Sequence, residues 1–135
     1  MKLDEVLKVF RVFSERTRLR IYLALLEAEL CVGELMALLK LEQSLLSHQL
    51  RILRQAGLIE ARKSGRRVFY RPAADHRKQL EPLLSGLFKE EFEMTSRKVK
   101  SIKEKNVCRL AGKKEKELPP RSARTRAVDS ARRKA

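Results

Sequence analysis

Apolar residues along this chain recur at helical spacing, give way to two short β-prone runs, and then return to helical spacing. In residues 3–13, Leu3, Val6, Leu7, Phe10 and Phe13 fall at i, i+3, i+4, i+7 and i+10, on one helix face. Ser14 is placed to cap a second helix carrying Leu19, Tyr22, Leu23, Leu25 and Leu26, which fades in the Glu27–Glu29 stretch. A short third helix runs from about Val32 to Leu39, and only Lys40 to Glu42 separate it from a fourth. The fourth puts Leu45, Leu46, Leu50, Ile52 and Leu53 on one arc, and Gly57 fits the left-handed position that ends it. LIEAR, KSGR and RVFYR then read as a β-hairpin with a Gly-containing turn, stopped by Pro72. From about Asp75 the helical period resumes through Leu80, Leu83, Leu84, Leu87, Phe88 and Phe92 to Val99 and Ile102. The prediction is a mostly α chain with a small β-hairpin, in the order α-α-α-α-β-β-α.

The polar side of the fourth helix changes the picture from architecture to chemistry. Gln43, Ser44, Ser47, His48, Arg51, Arg54 and Gln55 occupy it without a carboxylate after Glu42. Solvated helix faces usually mix Glu with Lys. Amides, hydroxyls, an imidazole and guanidiniums are instead the groups that bond phosphates and base edges. Two short helices across a tight turn suggest a helix-turn-helix, whose second member enters the major groove. The plainer alternative is an amphipathic helix that only covers a core. The hairpin gathers Arg62, Lys63, Arg66 and Arg67 at its tip with no acid after Glu60. Such a tip can reach phosphates or the minor groove, although alone it would read as solubility. The candidate DNA-binding residues are Gln43, Ser44, Ser47, His48 and Arg51 on the helix, with Arg66 and Arg67 on the hairpin.

Charge supports a polyanionic partner. The 135 residues carry 32 Lys and Arg against 17 Asp and Glu, a net charge of +15. Residues 111–135 hold nine basic and three acidic side chains, Pro119–Pro120 and no apolar clustering, so disorder is expected there. This divides the chain into a folded domain over 1–110 and a basic tail over 111–135. The folded part stays basic without the tail. No apolar run approaches the roughly 20 residues that span a bilayer, and Asp4 and Glu5 stand where a signal peptide carries positive charge. A cytoplasmic location without membrane contact is expected. The long last helix and the equally apolar first helix offer a surface that two copies could share, which suits paired recognition helices one DNA turn apart.

Five segments together resemble the ArsR family of winged-helix repressors. They are Ser14-Glu15-Arg16-Thr17-Arg18-Leu19-Arg20-Ile21, Glu29-Leu30-Cys31-Val32-Gly33-Glu34-Leu35, Gln43-Ser44 with Ser47-His48, Leu53-Arg54-Gln55-Ala56-Gly57-Leu58, and Gly65-Arg66-Arg67-Val68-Phe69-Tyr70-Arg71. The resemblance covers roughly residues 3–95. It implies a winged helix-turn-helix, a homodimer through the first and last helices, and a transcriptional repressor that leaves an inverted-repeat DNA operator when an inducer binds. Glu42 departs from the pattern, since relatives tend to carry Ser there, a better N-cap by about 1 kcal/mol.

The resemblance also frames the inducer. Arsenic-sensing relatives begin the third helix with Cys-Val-Cys and carry a further Cys soon after. Here Cys31 holds the first position, Gly33 replaces the second, and Met36 lies near the third. Trivalent arsenic is soft and takes thiolates. Cys31 with Cys108 would satisfy methylarsenite, whose carbon fills one position, whereas arsenite needs a borrowed ligand. Two other readings stay open. Cys31 is a helix-start remnant with Cys108 a bystander, or the two thiols respond to oxidants or persulfide, although such relatives place their cysteines in the second and last helices. Zinc is set aside, because the Asp-x-His and later His pair of zinc-sensing relatives are missing and His48 and His76 are the only histidines. No cofactor is required. No Gly-rich phosphate loop, His-bearing metal cluster or nucleophile elbow suggests an enzyme, and Ser47 and His48 point about 100° apart on a helix. A basic architectural or RNA-binding protein would explain the charge but not its concentration on one helix.

Overall fold

The computed structural model describes residues 1–105. The expected tail over 111–135 and Cys108 lie outside the described residues. In chain order the elements are α1 (Leu3–Phe13), α2 (Arg16–Glu27), β1 (Leu30–Cys31), α3 (Val32–Leu39), α4 (Gln43–Gln55), β2 (Ile59–Ser64), β3 (Arg67–Pro72), α5 (Ala74–Leu87) and α6 (Lys89–Glu104). The mostly helical winged helix-turn-helix expected from the pattern is present, with differences at both ends and in the sheet.

Six consecutive residues of α2, Ile21 to Leu26, are buried. A helix apolar on all sides has to be surrounded, and α1, α3, α4, α5, α6 and β3 all pack on this one. Leu30, Leu35, Leu46, Leu50, Leu53 and Leu58 complete the core around it. The ring of Phe13 at the end of α1 meets that of Tyr22 at 4.9 Å, tilted by 50°. Burial pushes the Tyr22 hydroxyl up to about 12, so it stays protonated.

Glu15, not Ser14, caps α2. Its carboxylate accepts from the Thr17 and Arg18 backbone N–H groups at 3.1 and 3.0 Å. Burial alone would push that carboxyl up, yet these bonds outweigh it and hold it below the usual range. A charged acceptor binds orphan N–H groups more strongly than a hydroxyl does. The Ser14 hydroxyl instead turns back to the Arg11 carbonyl at 2.6 Å and closes α1.

The sheet has three antiparallel strands in the order β1-β3-β2, not two. Leu30 pairs with Tyr70 and Cys31 with Phe69, while β2 and β3 pair from Ile59–Pro72 to Ser64–Arg67. Two residues are too few to leave a periodicity, so the apolar pattern does not predict β1. The expected single closing helix is also two. Pro82 removes one ladder donor within α5, Gly86 lowers its helical preference, and Phe88 leaves the helical region at φ −121° and ψ 46°. The break turns Phe88 and Phe92 toward the core and lets α6 pack on α2 and α3.

The turn between α3 and α4 is closed by Lys40 at φ 54° and ψ 49°. Left-handed backbone costs a residue with a Cβ about 1–2 kcal/mol. Lys40 is exposed, so Lys40→Gly removes that strain and little else. Part of the gain is lost to the greater freedom of glycine in the unfolded chain, leaving a net stabilisation of roughly 0.5–1 kcal/mol. Thermal unfolding is expected to rise by a few degrees, and an unchanged or lower midpoint would show that the turn holds no strain.

Candidate nucleic-acid interface

The sidedness of α4 comes from a buried stripe at i, i+3, i+4 and i+7: Leu46, Gln49, Leu50 and Leu53. This differs from the expected arc in three places, one of them Ile52, which is only half-buried. Leu45 is 44% exposed and leaves the core side, while the polar Gln49 enters it at 8%. Gln49 is tolerated there because its amide oxygen accepts from the Arg18 guanidinium at 3.0 Å. Nothing in the sequence around Gln49 names a partner 31 residues away.

All five predicted reading residues, Gln43, Ser44, Ser47, His48 and Arg51, are exposed. None of their side chains makes a hydrogen bond or ion pair among the described residues. Glu42 begins the helix as N-cap with no side-chain bond to it, so the first N–H groups of α4 keep their capacity for an acceptor such as phosphate. Gly57 at φ 74° ends the helix. The Gly57 N–H bonds the Arg54 carbonyl at 3.0 Å and the Leu58 N–H bonds the Leu53 carbonyl at 3.1 Å. This is a Schellman turn, with Leu53 and Leu58 packed beneath it as its apolar pair. The turn delivers the chain directly into β2.

The hairpin divides its basic residues between two tasks. Arg62, placed at the tip by its neighbours in sequence, pairs with Phe69 in the middle of the hairpin and is held there. Its Nε and Nη2 donate to Glu29 at 3.0 and 2.7 Å, and its guanidinium lies 5.5 Å from the Phe69 ring centre. Arg71 joins the same group, 3.3 Å from Glu60 and 3.6 Å from Glu29. The bond from Arg62 holds the Glu29 carboxyl below the usual range against a smaller opposing effect of burial, and the nearby Arg62 and Arg71 charges add to it. These pairs are surface pairs, worth about 0–1 kcal/mol each, but together they fix the direction of the hairpin relative to the corner after α2. Lys63 and Arg66 remain exposed at the tip, Arg67 is half-buried at the start of β3, and Gly65 makes the turn at φ 63°.

Cys31 is buried, at once the second residue of β1 and the N-cap of α3. Its N–H donates to Glu34 at 3.1 Å, forming one half of a capping box. Glu34 is 2% exposed, and its carboxylate also receives the Lys103 ammonium of α6 at 3.0 Å. That ammonium lies 5.6 Å from the ring centre of Phe69. Cys31, Glu34, Lys103 and Phe69 therefore join α3, α6 and the sheet at one point. Cys108, expected to act with Cys31, lies outside the described residues. His76 is half-buried, and its Nδ1 has no hydrogen-bond partner among the described residues. No group of three or more His, Cys, Asp or Glu able to hold a metal ion is found among the described residues.

Residues 15–61 match the family described as bacterial regulatory protein, arsR family. The structure superposes on HlyU from Vibrio cholerae with a TM-score of 0.59 and 36% identity, covering 65% of this chain and 98% of that one. The chain belongs to the ArsR family. A second solved structure, from Mycobacterium bovis, is described as the homodimeric winged helix-turn-helix DNA-binding domain of Mb0332, a possible ArsR-family transcriptional regulator. It superposes with a TM-score of 0.58 at 29% identity, over 68% of this chain and 85% of that one. Among curated ArsR relatives, the transcriptional repressor SmtB homolog of Synechocystis is 43% identical over 79 residues, which are 56% of this chain. The cadmium resistance transcriptional regulatory protein CadC homolog of Staphylococcus aureus is 39% identical over 77 residues, again 56% of this chain. The matches span 60% and 64% of these two relatives' lengths.

Because a Cβ at Gly57 would meet nothing within 4 Å, the cost of Gly57→Ala is conformational alone, about 1–2 kcal/mol. Its thermal midpoint is expected to fall by several degrees. An unchanged midpoint would show that the Schellman turn does not depend on glycine.

Proposed function

We propose that this chain is a sequence-specific DNA-binding transcriptional repressor, acting in the cytoplasm as a homodimer on an inverted-repeat operator. The observation that carries the proposal is the exposed, acid-free face of α4 opposite a buried stripe, with a basic hairpin whose first strand packs on that helix. Gln43, Ser44, Ser47, His48 and Arg51 would meet base edges and phosphates in the major groove, and Arg66 and Arg67 the backbone or minor groove. Dimerisation is supported by α1, which turns Leu3, Leu7 and Phe10 outward at 73%, 43% and 57% exposure, and by Leu83 and Leu87, exposed on α5. Surfaces of that kind are uncommon on monomers. The homodimeric relative described above adds weight to this reading.

We further propose that a soft thiophilic inducer releases the repressor, a trivalent arsenical held by Cys31 and Cys108 being the best candidate. The position of Cys31 supports this. A ligand on that thiol would bear on the start of α3, which packs on α4, and on Phe69 of the wing through the strand pairing. Cadmium, in the name of one relative, is likewise a soft ion that favours thiolates.

Selection from a random duplex library is expected to enrich a palindromic site bound by two copies. Arg66→Ala and Arg67→Ala each weaken all sequences alike and flatten the dependence of log Kd on log salt by about one unit. Gln43→Ala relaxes preference at one base position by about 1–3 kcal/mol; equal losses on enriched and random duplexes would remove it from base reading. Titration of the enriched complex with arsenite, methylarsenite, cadmium, zinc and a persulfide donor tests the inducer. Release by an arsenical that Cys31→Ser and Cys108→Ser abolish is the expected result. Both variants responding like the parent would end the thiol reading while leaving the DNA reading intact.

A further inference from the structure

α4 is seated on the rest of the domain by Leu46, Leu50 and Leu53, whose packing decides which face turns inward but supplies no directional bond. One polar contact interrupts that packing. The half-buried Arg18, in the first turn of α2, donates through Nε to the Val12 carbonyl at 2.7 Å and through Nη1 to the Gln49 amide oxygen at 3.0 Å. Val12 lies in the last turn of α1, where carbonyls lack intrahelical donors. The Arg18 backbone N–H is itself held by Glu15 at 3.0 Å. One planar guanidinium thus ties the end of α1, the start of α2 and the buried stripe of α4.

The chemistry makes this tie directional. A guanidinium offers its donors in a rigid plane, so satisfying Val12 fixes where the second donor points. A lysine ammonium on a flexible stem cannot impose the same two directions. Gln49 sits between the exposed His48 and the buried Leu50, so the orientation of its amide is coupled to the azimuth of the whole helix. A rotation of roughly 10° moves an outward atom about 6 Å from the axis by about 1 Å. That displacement is enough to spoil a hydrogen bond to a base edge. Contacts to phosphate through long, flexible side chains are far more forgiving.

We infer that Arg18 is a positioning residue for base reading: through Gln49 it sets the rotation of α4, and so the aim of Ser44, Ser47, His48 and Arg51, without itself meeting DNA. This rests on the DNA-reading function proposed above. It also gives α1, whose outer face carries Leu3, Leu7 and Phe10, a direct polar connection to the reading helix.

The test compares Arg18→Met, Arg18→Lys, Gln49→Leu and the double variant Arg18→Met with Gln49→Leu in the full chain. Binding to the duplex enriched by the parent and to a random duplex is followed across salt concentrations, together with thermal unfolding. Arg18→Met is expected to lower the midpoint, since it strands a buried amide, and to cut the preference for the enriched duplex about tenfold. Its binding to random DNA and its salt slope stay unchanged, and Arg18→Lys does not restore the preference. In the double variant both polar partners are gone, so the midpoint returns to within about 2 °C of the parent. The preference remains low, because apolar packing without a directional bond leaves the last degrees of rotation unset. If preference returns together with stability in the double variant, Arg18 is only a structural residue and the inference is wrong. A salt slope reduced by about one unit in Arg18→Met would mean a phosphate contact and would equally overturn it. A parent that enriches no duplex overturns the DNA reading and this inference together, an outcome distinct from a parent and double variant that both discriminate.

Discussion

The second half of α2, Ile21 to Leu26, is buried on every face, and its enclosure determines where everything else can go. Ile21, Leu23, Leu25 and Leu26 each gain about 1.5–3 kcal/mol by leaving water, and no single neighbour can cover them all. α1, α3, α4, α5, α6 and β3 therefore converge on one cylinder. Two polar anchors at the start of α2 then orient the arrangement. Glu15 fixes the entry of the helix, and Arg18 turns outward from it to take hold of α1 and α4.

The same enclosure explains why the polar face of α4 is available. With Leu46, Leu50 and Leu53 committed to α2 and its neighbours, the opposite side has no apolar surface left to cover it. The Schellman turn at Gly57 and the ion pairs of Arg62 and Arg71 with Glu29 then set the hairpin at a fixed angle from the end of that helix. Positive charge at the tip is kept apart from the carboxylates at the root. The result is a rigid, acid-poor surface, which suits a partner whose own surface is a regular array of phosphates.

The buried carboxylate of Glu34 belongs to the same logic. A carboxylate out of water needs compensation, and it receives it from the Cys31 N–H and the Lys103 ammonium. This draws α6 onto α3 beside the strand pairing of Cys31 with Phe69. The start of α3 is thus the place where the closing helix, the sheet and the short helix packed on α4 meet. A change in the surroundings of Cys31 would be felt by all three.

The elements themselves were legible because burial imposes a period. Val32–Leu39, the α4 stripe and the hairpin around Gly65 follow from spacing, from glycines that tolerate φ values of 74° and 63°, and from local turn chemistry. The exposure of Gln43, Ser44, Ser47, His48 and Arg51 was legible for the same reason, since positions opposite a buried stripe face solvent. What the spacing could not reveal were interactions between residues distant in sequence. The ring of charge at Glu29 removed Arg62 from the hairpin tip. The reach of Arg18 made Gln49 a core residue and left Leu45 outside. The two-residue strand at Cys31 exists only because β3 is there to pair with it. The break at Phe88 depends on what α6 finds to pack against. Periodicity belongs to the local chain and is written in the sequence; partners are chosen by three-dimensional proximity, and only the folded chain decides them.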